Sequence, residues 1–581
     1  MPLACHWLVL GVLSADFRSG LHGCVVHQRR RDLVAQQQEP QGFVWWKHGV
    51  VYQIYPRSFA DSNDDGIGDL RGLIHRLDYL NDGTPNSLGV DAVWLCPIYP
   101  SPQHDFGYDV SDYTDIDPRF GTLDDFDELL EKAHARGIRI IMDMVLNHSS
   151  HLHPWFVESR SSRQSPKRDW YIWRDGRGPG KPPNNWQSVF GGPAWEWDPR
   201  TEQYYYHAFL VEQPDLNWRN PEVKKALFDV LRFWLDRGVD GFRLDVVNYY
   251  FKDAQFRDNP TRLAITYGYG RQHHLYDKDQ PELHPLYREM RALVDAYPGR
   301  MMVGEVGSDR PAEAAAAYLG ERADELHLTF NFAFARCPWS APAFHREVER
   351  WEALLPPGGW PTYFLSNHDQ VRHVSRYAAG DWTEARARVA AALLLTLRGT
   401  PFLYYGEEIG MREVHIPREE IQDPPGRRFW PLYKGRDGCR TPMQWDASEH
   451  AGFTRGIPWI RLAPDYRERN VAAQQDDPGS LLNFYRRLIW LRKATPALQR
   501  GDYRALVERP TRALAYLRET PEQTVLVLLN FSARPVRLAF DAPLPTQEWK
   551  VLLDTAGWGE RVRLAGPVTL PPHAVCVLEA G

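Results

Sequence analysis

The chain has 581 residues, and its 69 basic and 75 acidic side chains give a net charge of −6. With 43% hydrophobic and 25% charged residues, the composition is ordinary for a soluble globular protein and excludes a mainly disordered chain. The sequence shows no glycine period and no sustained heptads, which excludes collagen-like and coiled-coil folds. The mild acidity argues against a nucleic-acid partner, since such proteins usually carry a basic face.

Residues 1–42 are predicted to form an extension outside the fold. Their apolar run, Leu8–Ala15, is too short to span a bilayer, and no basic residue precedes it as in a typical signal peptide. A signal-like role, which would mean secretion, is kept as an alternative. Because no other run reaches transmembrane length, we expect no membrane partner.

The six cysteines are widely scattered and form no C-x-x-C pair: Cys5, Cys24, Cys96, Cys337, Cys439 and Cys576. In a long chain this pattern is typical of reduced, buried thiols rather than of a disulfide framework or a zinc site. We therefore expect a cytoplasmic location. The oligomeric state is left open by the sequence.

From Val50 onward, eight strand-like apolar runs alternate with amphipathic helix patterns, which predicts parallel β/α units. The runs are Val50–Tyr55, Ala92–Cys96, Ile138–Val145, Val239–Val246, Met301–Val306, Leu326–Phe332, Thr362–Ser366 and Phe402–Tyr405. Eight such units most simply close into a (β/α)₈ TIM barrel. A doubly wound open sheet is the alternative, but it usually has a glycine-rich phosphate turn after its first strand, and none follows Tyr55.

The helical patterns between these runs include Leu123–Arg136, Pro221–Arg237 and Trp382–Leu397. The first has acids in its first turn, and Gly137 stands where a glycine often ends a helix. Pro221 after Asn220 reads as a helix start.

Two regions depart from the alternation. Residues 146–220, after the third strand, are rich in Trp, Pro, Gly and Asn and are predicted to form an inserted subdomain. Short apolar runs separated by Pro and Gly predict a C-terminal antiparallel β-sandwich domain over residues 496–581. The barrel would then comprise residues 43–145 and 221–495.

Polar residues follow several of the predicted strands. They are Asp143, Asn147, His148, Arg243, Asp245, Glu305, Asn367, His368 and Asp369. Each could singly be a helix cap, an ion-pair partner or a buried histidine. Because the catalytic groups of a β/α barrel stand at the C-terminal ends of its strands, these residues together predict a site on one rim.

A metal site is less favoured than acid catalysis, because the histidines lack H-x-x-x-H spacing. Two carboxylates in a barrel mouth suit glycosidic cleavage, one attacking the anomeric carbon and the other protonating the leaving oxygen. We expect Arg243 to keep Asp245 ionised at neutral pH. Since Glu305 emerges from an apolar run, we expect desolvation to raise its pKa, as a general acid requires.

Five motifs resemble those of a known family. DMVLNH (143–148), GFRLDVVN (241–248), GEV (304–306) and SNHD (366–369) are similar to four signature regions of the α-amylase superfamily, glycoside hydrolase family 13. QPDLNW (213–218) resembles the fifth region in its α-glucosidase and oligo-1,6-glucosidase branch. The resemblance covers about residues 44–581.

The resemblance implies a retaining exo-acting α-glucosidase that hydrolyses terminal α-1,6 or α-1,4 bonds of short oligosaccharides and needs no cofactor for its chemistry. Asp245 would be the nucleophile, Glu305 the general acid/base and Asp369 the transition-state stabiliser. Substrate binding would fall to Asp105, Tyr108, His148, Phe209, Arg243, His368 and Arg436. Asp105 and Tyr108 stand in HDFGYDVSDY (104–113) and Arg436 in GRDGCRTPMQW (435–445). Arg436 would pair with Asp105 and close the end of the pocket.

Linkage preference is not decided by the motifs. Val246, after the implied nucleophile, resembles α-1,6-specific enzymes, whereas FKDAQFRDNP (251–260) looks more like general α-glucosidases. A transglucosylase or an isomerase that rearranges trehalose or sucrose is the alternative within the family. A non-catalytic relative, like the heavy chains of amino-acid transporters, is disfavoured because this chain keeps the three acids and lacks their transmembrane run.

One loop has the pattern of a cation site, with oxygen donors at alternate positions around a glycine. The resemblance implies a structural Ca²⁺, or Mg²⁺, bound by Asp61, Asn63, Asp65, Ile67 through its carbonyl, and Asp69. Gly72 stands where an EF-hand loop would have its last Glu. An Asx-rich turn without an ion is the alternative.

Overall fold

The computed structural model describes residues 42–178, 180–264, 266 and 268–581. The predictions for residues 1–41, with Cys5 and Cys24, lie outside the described residues. The other four cysteines are buried free thiols. None of the described helices is long and apolar enough to cross a bilayer, and the cytoplasmic location stays a prediction.

Eight parallel strands form a nearly closed barrel, so the predicted fold class is confirmed. The strands are β1 (Val51–Ile54), β2 (Ala92–Leu95), β3 (Arg139–Met144), β7 (Gly241–Leu244), β8 (Met301–Gly304), β9 (Leu328–Thr329), β10 (Thr362–Phe364) and β11 (Thr400–Tyr404), and β4–β6 belong to the insertion. Between β9 and β10, a hydrogen bond from Thr362 Oγ1 to the Thr329 carbonyl stands in place of a backbone ladder. Inward-facing apolar side chains such as Trp94, Ile141 and Phe402 fill the barrel.

Two strands are shorter than their apolar runs, each for a local reason. The run Leu326–Phe332 contributes only Leu328–Thr329, because the Asn331 side chain caps the short helix Phe332–Ala335. β7 ends at Leu244, since Val246 has a left-handed backbone with φ of 39°. A β-branched residue rarely adopts that conformation.

Most of the helices fall between the barrel strands or after the last of them along the chain. They are Trp45–His48, Leu70–His75, Leu77–Leu80, Leu123–Ala135, Pro154–Ser159, Pro221–Arg237, Leu283–Asp295, Pro311–Ala317, Phe332–Ala335, Ala341–Leu354, His373–Arg376, Thr383–Thr396, Pro424–Phe429, Val471–Gln475, Leu481–Ala494 and Pro496–Arg500. The predicted helix ends are present. Gly137, with φ of 73°, follows Arg136 at the end of the helix Leu123–Ala135, and Asn220 caps Pro221–Arg237 by accepting from Glu222 N.

The insertion after β3 carries a three-stranded antiparallel sheet of β4 (Trp173–Arg174), β5 (Trp195–Asp198) and β6 (Gln203–Tyr206). Aromatic rings of Trp186, Trp195 and Tyr206 pack against each other in its core. A backbone bridge between His148 and Asp215 joins the end of the insertion to the residues that follow β3. The insertion therefore lies beside the C-terminal rim of the barrel.

The C-terminal region consists of antiparallel strands. Six form one sheet, Asp502–Ala505, Ala513–Glu519, Thr524–Asn530, Val575–Ala580, Glu548–Asp554 and Arg561–Arg563, and Val536–Leu538 pairs with Val568–Leu570. Leu538 and Leu570 of that pair share an apolar core with Leu526 and Trp549 of the larger sheet. This is the antiparallel β domain that the short apolar runs predict.

Candidate active site

The ends of three neighbouring strands bring the predicted acids together. Asp143 on β3 lies opposite Arg243 on β7 in the parallel ladder. Backbone bonds continue past the strands, from Asp245 N to Met144 O at 3.0 Å and from Glu305 N to Leu244 O at 3.0 Å. All four side chains therefore stand on the C-terminal rim, as the sequence predicts.

Arg243 binds three carboxylates. Its side chain is 1% exposed, and Nη1 donates to Asp143 Oδ1 at 2.7 Å and to Asp245 Oδ1 at 2.8 Å. Nη2 donates to Glu305 Oε2. One guanidinium group thus holds the two implied catalytic carboxylates side by side. A second side chain, Trp94, donates its indole N–H to Asp143 Oδ2 at 3.2 Å.

The pKa of Asp245 is higher than its pairing with Arg243 led us to expect. Burial raises its pKa to about 7, and the opposing effect of Arg243 is smaller. Burial also raises the pKa of Asp143. Arg243 therefore only partly offsets the effect of burial on Asp245, because one cation serves several buried acids, and full ionisation at neutral pH stays a prediction.

Glu305 also has different surroundings from those predicted. Since β8 ends at Gly304, Glu305 stands just beyond the strand, with its side chain 16% exposed and bonded to Arg243. Val247 N donates to its carbonyl at 3.0 Å, which anchors the backbone. The carboxylate thus lies beside a cation rather than in an apolar pocket.

A stacked pair forms one wall of the site. The rings of Tyr108 and His368 are parallel within 3°, with centroids 5.5 Å apart. The Tyr108 hydroxyl lies 2.7 Å from His368 Nε2 and donates to Asp143 Oδ2 at 3.0 Å. Gln53 Nε2 is 2.8 Å from His368 Nδ1. Burial lowers the pKa of His368 to about 3, so its imidazole is neutral.

His148 and Phe209 lie next to this wall. Their ring centroids are 5.3 Å apart, and burial lowers the pKa of His148 to about 4. Gln213, the first residue of QPDLNW, is 3.1 Å from His148 Nε2 and donates to Asp105 Oδ2 at 3.2 Å. Gln213 therefore joins the insertion to the far end of the site.

A second arginine closes that far end. Arg436 Nη2 lies 2.7 Å from Asp105 Oδ1 and 2.6 Å from Asp423 Oδ1, and Nη1 lies 3.3 Å from Asp369 Oδ1. Arg440 Nη2 adds a 2.6 Å bond to Asp369 Oδ1. The three acids come from different loops and meet only at this guanidinium group.

The two substrate-side acids of this group differ in pKa. Burial acts to raise the pKa of Asp369, but the charges of Arg436 and Arg440, which both contact Oδ1, hold it well below its usual range. Burial raises the pKa of Asp105 to about 6. Asp369 is therefore a fixed negative charge at neutral pH.

Five residues of the site were not among those predicted from the sequence: Gln53, Trp94, Gln213, Asp423 and Arg440. Arg440 stands in GRDGCRTPMQW, four residues after Arg436, and Gln213 opens QPDLNW, so both motifs carried a signal. Gln53 and Trp94 lie inside apolar strands. Asp423 stands in a loop without a recognisable motif.

In the candidate cation loop, side-chain oxygens accept hydrogen bonds from backbone N–H groups of the same loop. Asp61 Oδ1 accepts from Asn63 N at 2.9 Å, Asn63 Oδ1 from Asp65 N at 3.0 Å, and Asp65 Oδ1 from Ile67 N at 2.8 Å. Asp69 caps a helix by accepting from Gly72 N at 2.7 Å. In the described part of the chain, no three acidic, His or Cys side chains converge as a metal site. The donor chemistry suits Ca²⁺, and in this structure the same side-chain oxygens accept from backbone N–H groups, as in an Asx turn.

Family models cover almost all of the described chain. Residues 53–501 match the model of the α-amylase catalytic domain, and residues 503–577 match that of the maltogenic amylase C-terminal domain. The chain belongs to the α-amylase family of glycoside hydrolases. The resemblance seen in the sequence is confirmed, and the chain is an enzyme of this class.

Relatives and solved structures agree with this assignment. A probable α-glucosidase of Rhizobium meliloti is 48% identical over 499 residues, 84% of this chain and 89% of that protein. An oligo-1,6-glucosidase of Parageobacillus thermoglucosidasius is 43% identical over 521 residues, 84% of this chain and 91% of the relative.

Among solved structures, an α-glucosyl transfer enzyme has a TM-score of 0.84 and 46% identity, covering 92% of this chain and 99% of that one. A mutant of the isomaltulose synthase of Erwinia rhapontici, solved with its natural substrate sucrose, has a TM-score of 0.82 and 36% identity, covering 93% of this chain and 99% of that one.

Proposed function

We propose that this enzyme is a retaining exo-acting α-glucosidase, which releases glucose from the non-reducing ends of short oligosaccharides. The proposal rests above all on Asp245 and Glu305, whose carboxylates accept hydrogen bonds from the same guanidinium group. That arrangement keeps them close together on one rim. Retaining glycosidases need such closeness, about 5 Å, whereas inverting enzymes leave room for a water molecule.

In the first step, Asp245 Oδ forms a bond to C1 of the glucosyl unit while the bond from C1 to the leaving oxygen breaks. Glu305, as the carboxylic acid, gives its proton to that oxygen. In the second step, Glu305 takes a proton from water, the water oxygen bonds to C1, and Asp245 leaves. Two inversions at C1 give net retention.

Proton supply follows from the charges around Arg243. Three carboxylates, of Asp143, Asp245 and Glu305, surround one buried cation, so this group favours carrying a proton. Reaction requires that proton on Glu305 and a negative charge on Asp245. Arg243 Nη1, which donates to Asp245, favours the ionised nucleophile in that state.

Exo action is supported by the closed end of the site. Asp105, Arg436 and Asp423 form a salt-bridged wall at this end of the site, which in our proposal closes the cleft beyond the first sugar. The neutral His368 and the stacked Tyr108 offer a flat face to that sugar. Asp369 can accept hydrogen bonds from its hydroxyl groups.

Azide rescue tests the two roles. With α-glucosyl fluoride as substrate, Asp245→Gly leaves space for azide to attack C1 directly, so we expect the inverted β-glucosyl azide. In Glu305→Ala, Asp245 still forms the covalent intermediate, so azide should yield the retained α-glucosyl azide. NMR of the products distinguishes the anomers. The same anomer from both variants would refute the assigned roles.

An alternative is transfer rather than hydrolysis. It is supported by the similarity to an α-glucosyl transfer enzyme and to an isomaltulose synthase. Both reactions share the first step and differ in whether water or a sugar hydroxyl attacks C1. Product analysis with maltose, isomaltose and sucrose separates them. If none of the three yields free glucose, the hydrolytic proposal is wrong.

The loop containing Asp61, Asn63, Asp65 and Asp69 is proposed to bind Ca²⁺, or Mg²⁺, with the Ile67 carbonyl as a further donor. Five oxygen donors in a short loop are the ligands that Ca²⁺ prefers. Saturating Ca²⁺ should raise the Tm of the chelator-treated enzyme, since a ligand of the native state stabilises it. Asp65→Asn should weaken this response. An unchanged Tm would identify the loop as an ion-free turn.

A further inference from the structure

A second cavity of about 430 Å³ lies outside the proposed glucose site. Three of its eight lining residues are arginines: Arg57, Arg119 and Arg427. The others are Gln103, His104, Phe106, Gln422 and Pro424. His104, Arg119 and Arg427 are exposed, so the cavity opens to solvent. Its volume lies within the range of small-molecule sites.

Arg57 is the buried cation of this cavity. It is 8% exposed, and its hydrogen bond goes to the neutral Gln103 Oε1 at 2.6 Å. The rings of Phe106 and Trp459 lie 5.4 and 5.1 Å from its guanidinium carbon. Within the described ranges, no carboxylate lies in ion-pair distance of Arg57. Asp117 is linked to Arg57 only through Gln103, whose Nε2 donates to Asp117 Oδ2 at 3.2 Å. A buried cation without a directly paired carboxylate is costly, so the cavity favours an anion.

The other two arginines add to this charge. Arg119 is paired with Asp117 at 3.1 Å, whereas Arg427 uses Nε to bind the Ile421 carbonyl and has no acidic partner in the described part of the chain. The three guanidinium groups of this cavity therefore have one ion-pair partner among them, Asp117, in the described part of the chain. Guanidinium groups bind phosphate in a bidentate manner, and more strongly than they bind neutral hydroxyl groups.

The cavity shares a wall with the glucose site. His104 and Phe106 flank Asp105 along the chain, and Gln422 and Pro424, which also line the cavity, flank Asp423. Asp105 and Asp423 are the two partners of Arg436. The cavity thus lies behind the salt bridge that closes the far end of the active site.

We propose that this cavity is a binding site for a small phosphate-type anion, either inorganic phosphate or the phosphate group of a sugar monoester. A neutral sugar could use Phe106 as a stacking face, but it would leave Arg57 without a counter-ion. The charge therefore favours the anion. This proposal does not depend on which bonds the enzyme cleaves.

Isothermal titration of the full chain with inorganic phosphate, in phosphate-free buffer of low ionic strength, tests the proposal. We expect saturable binding to one site that weakens as chloride is added. Glucose 6-phosphate is titrated in parallel. If it binds at least 10-fold more tightly than phosphate, the cavity is assigned to a sugar monoester, and equal affinity assigns it to the free ion.

Arg427→Gln should weaken phosphate binding about 10-fold, the effect of one charge-assisted hydrogen bond. Arg57→Gln should weaken it further, and because Arg57 is buried, its Tm is measured alongside. Arg561→Gln, an exposed change in the C-terminal domain, is the matched control and should bind as wild type.

Equal affinity in Arg427→Gln and wild type would overturn the proposal even if Arg57→Gln does not fold. Absence of any phosphate heat above that of chloride would overturn it as well. Glucose binding that depends on Arg427 would instead assign the cavity to neutral sugars.

Discussion

Two arginines organise the active site, and each gathers three carboxylates. Arg243 holds Asp143, Asp245 and Glu305, and Arg436 holds Asp105, Asp369 and Asp423. The second group has one additional cation, Arg440, bonded to Asp369. This difference in positive charge separates the pKa values, about 7 for Asp245 and far below the usual range for Asp369.

The comparison shows that burial alone does not determine the charge of an active-site acid. Both groups contain buried acids, yet the pKa of Asp245 is raised to about 7 whereas Asp369, beside Arg436 and Arg440, stays ionised. This difference in pKa between Asp245 and Asp369 suits the proposed roles of the two groups. A proton is needed where the leaving group departs, whereas a permanent negative charge is useful where a sugar hydroxyl or a developing positive charge must be bound.

The largest expected effect comes from removing the nucleophile of the Arg243 group. Asp245→Asn keeps the shape of the side chain but cannot form the bond to C1, so kcat should fall by about 10⁴-fold or more. Glucose release from maltose or isomaltose measures it. Asp229→Asn, an exposed change on the helix Pro221–Arg237, is the control and should retain full activity. Near-normal kcat in Asp245→Asn would exclude the residue as nucleophile.

Removing the cation of the other group should have the next largest effect. Arg436→Met leaves Asp105 and Asp423 without their shared partner, and losing one partner of a buried ion pair typically costs about 3–5 kcal/mol. Part of this cost falls on substrate binding, so kcat/KM should drop about 100-fold, mainly through KM. Arg461→Met, at an exposed ion pair in the same long loop, is the matched control. If KM is unchanged, the wall does not shape the glucose site.

The raised pKa of Asp245 predicts the pH dependence of both activity and stability. Because the nucleophile must be ionised, kcat/KM should fall as the pH drops below about 7. For stability, the folded-state pKa lies above the unfolded value, so the contribution of Asp245 is fully present at low pH and is lost as the pH rises through 7. Asn does not titrate, so only the wild type loses this contribution as the pH rises. The Tm of Asp245→Asn minus the Tm of wild type should therefore be larger at pH 8 than at pH 5. An equal Tm difference at both values would contradict the shift.

The smallest effect is expected beside the Arg243 group, at the position after the nucleophile. Val246 packs against an aromatic cluster that includes Phe209 and Tyr249. Val246→Thr keeps the β-branched shape in the left-handed backbone and exchanges a methyl for a hydroxyl, which is worth at most a few kcal/mol. The ratio of maltose to isomaltose cleavage should rise several-fold. Both substrates are measured on one preparation, so any loss of folded enzyme cancels, and an unchanged ratio would remove Val246 as a determinant of linkage.

The sequence by itself determined the barrel and the acids on its rim. Apolar runs alternating with helices specify parallel β/α units, and the C-terminal ends of such strands share one rim, so Asp143, Asp245 and Glu305 could be placed together without coordinates. The family resemblance also implied two residues in loops, Asp105 and Arg436, which the strand pattern does not indicate.

Only the tertiary structure decided the electrostatics of the site and its outer wall. The pKa of Asp245 depends on how many buried acids share Arg243, and those acids are brought together by strands far apart in the chain. Glu305 lies one residue beyond its strand, next to a cation, which the apolar run around it did not indicate. Asp423 and Gln53 stand in no motif and act through contacts with distant residues. Desolvation and Coulomb interactions depend on distances in space, and local sequence patterns do not carry those distances.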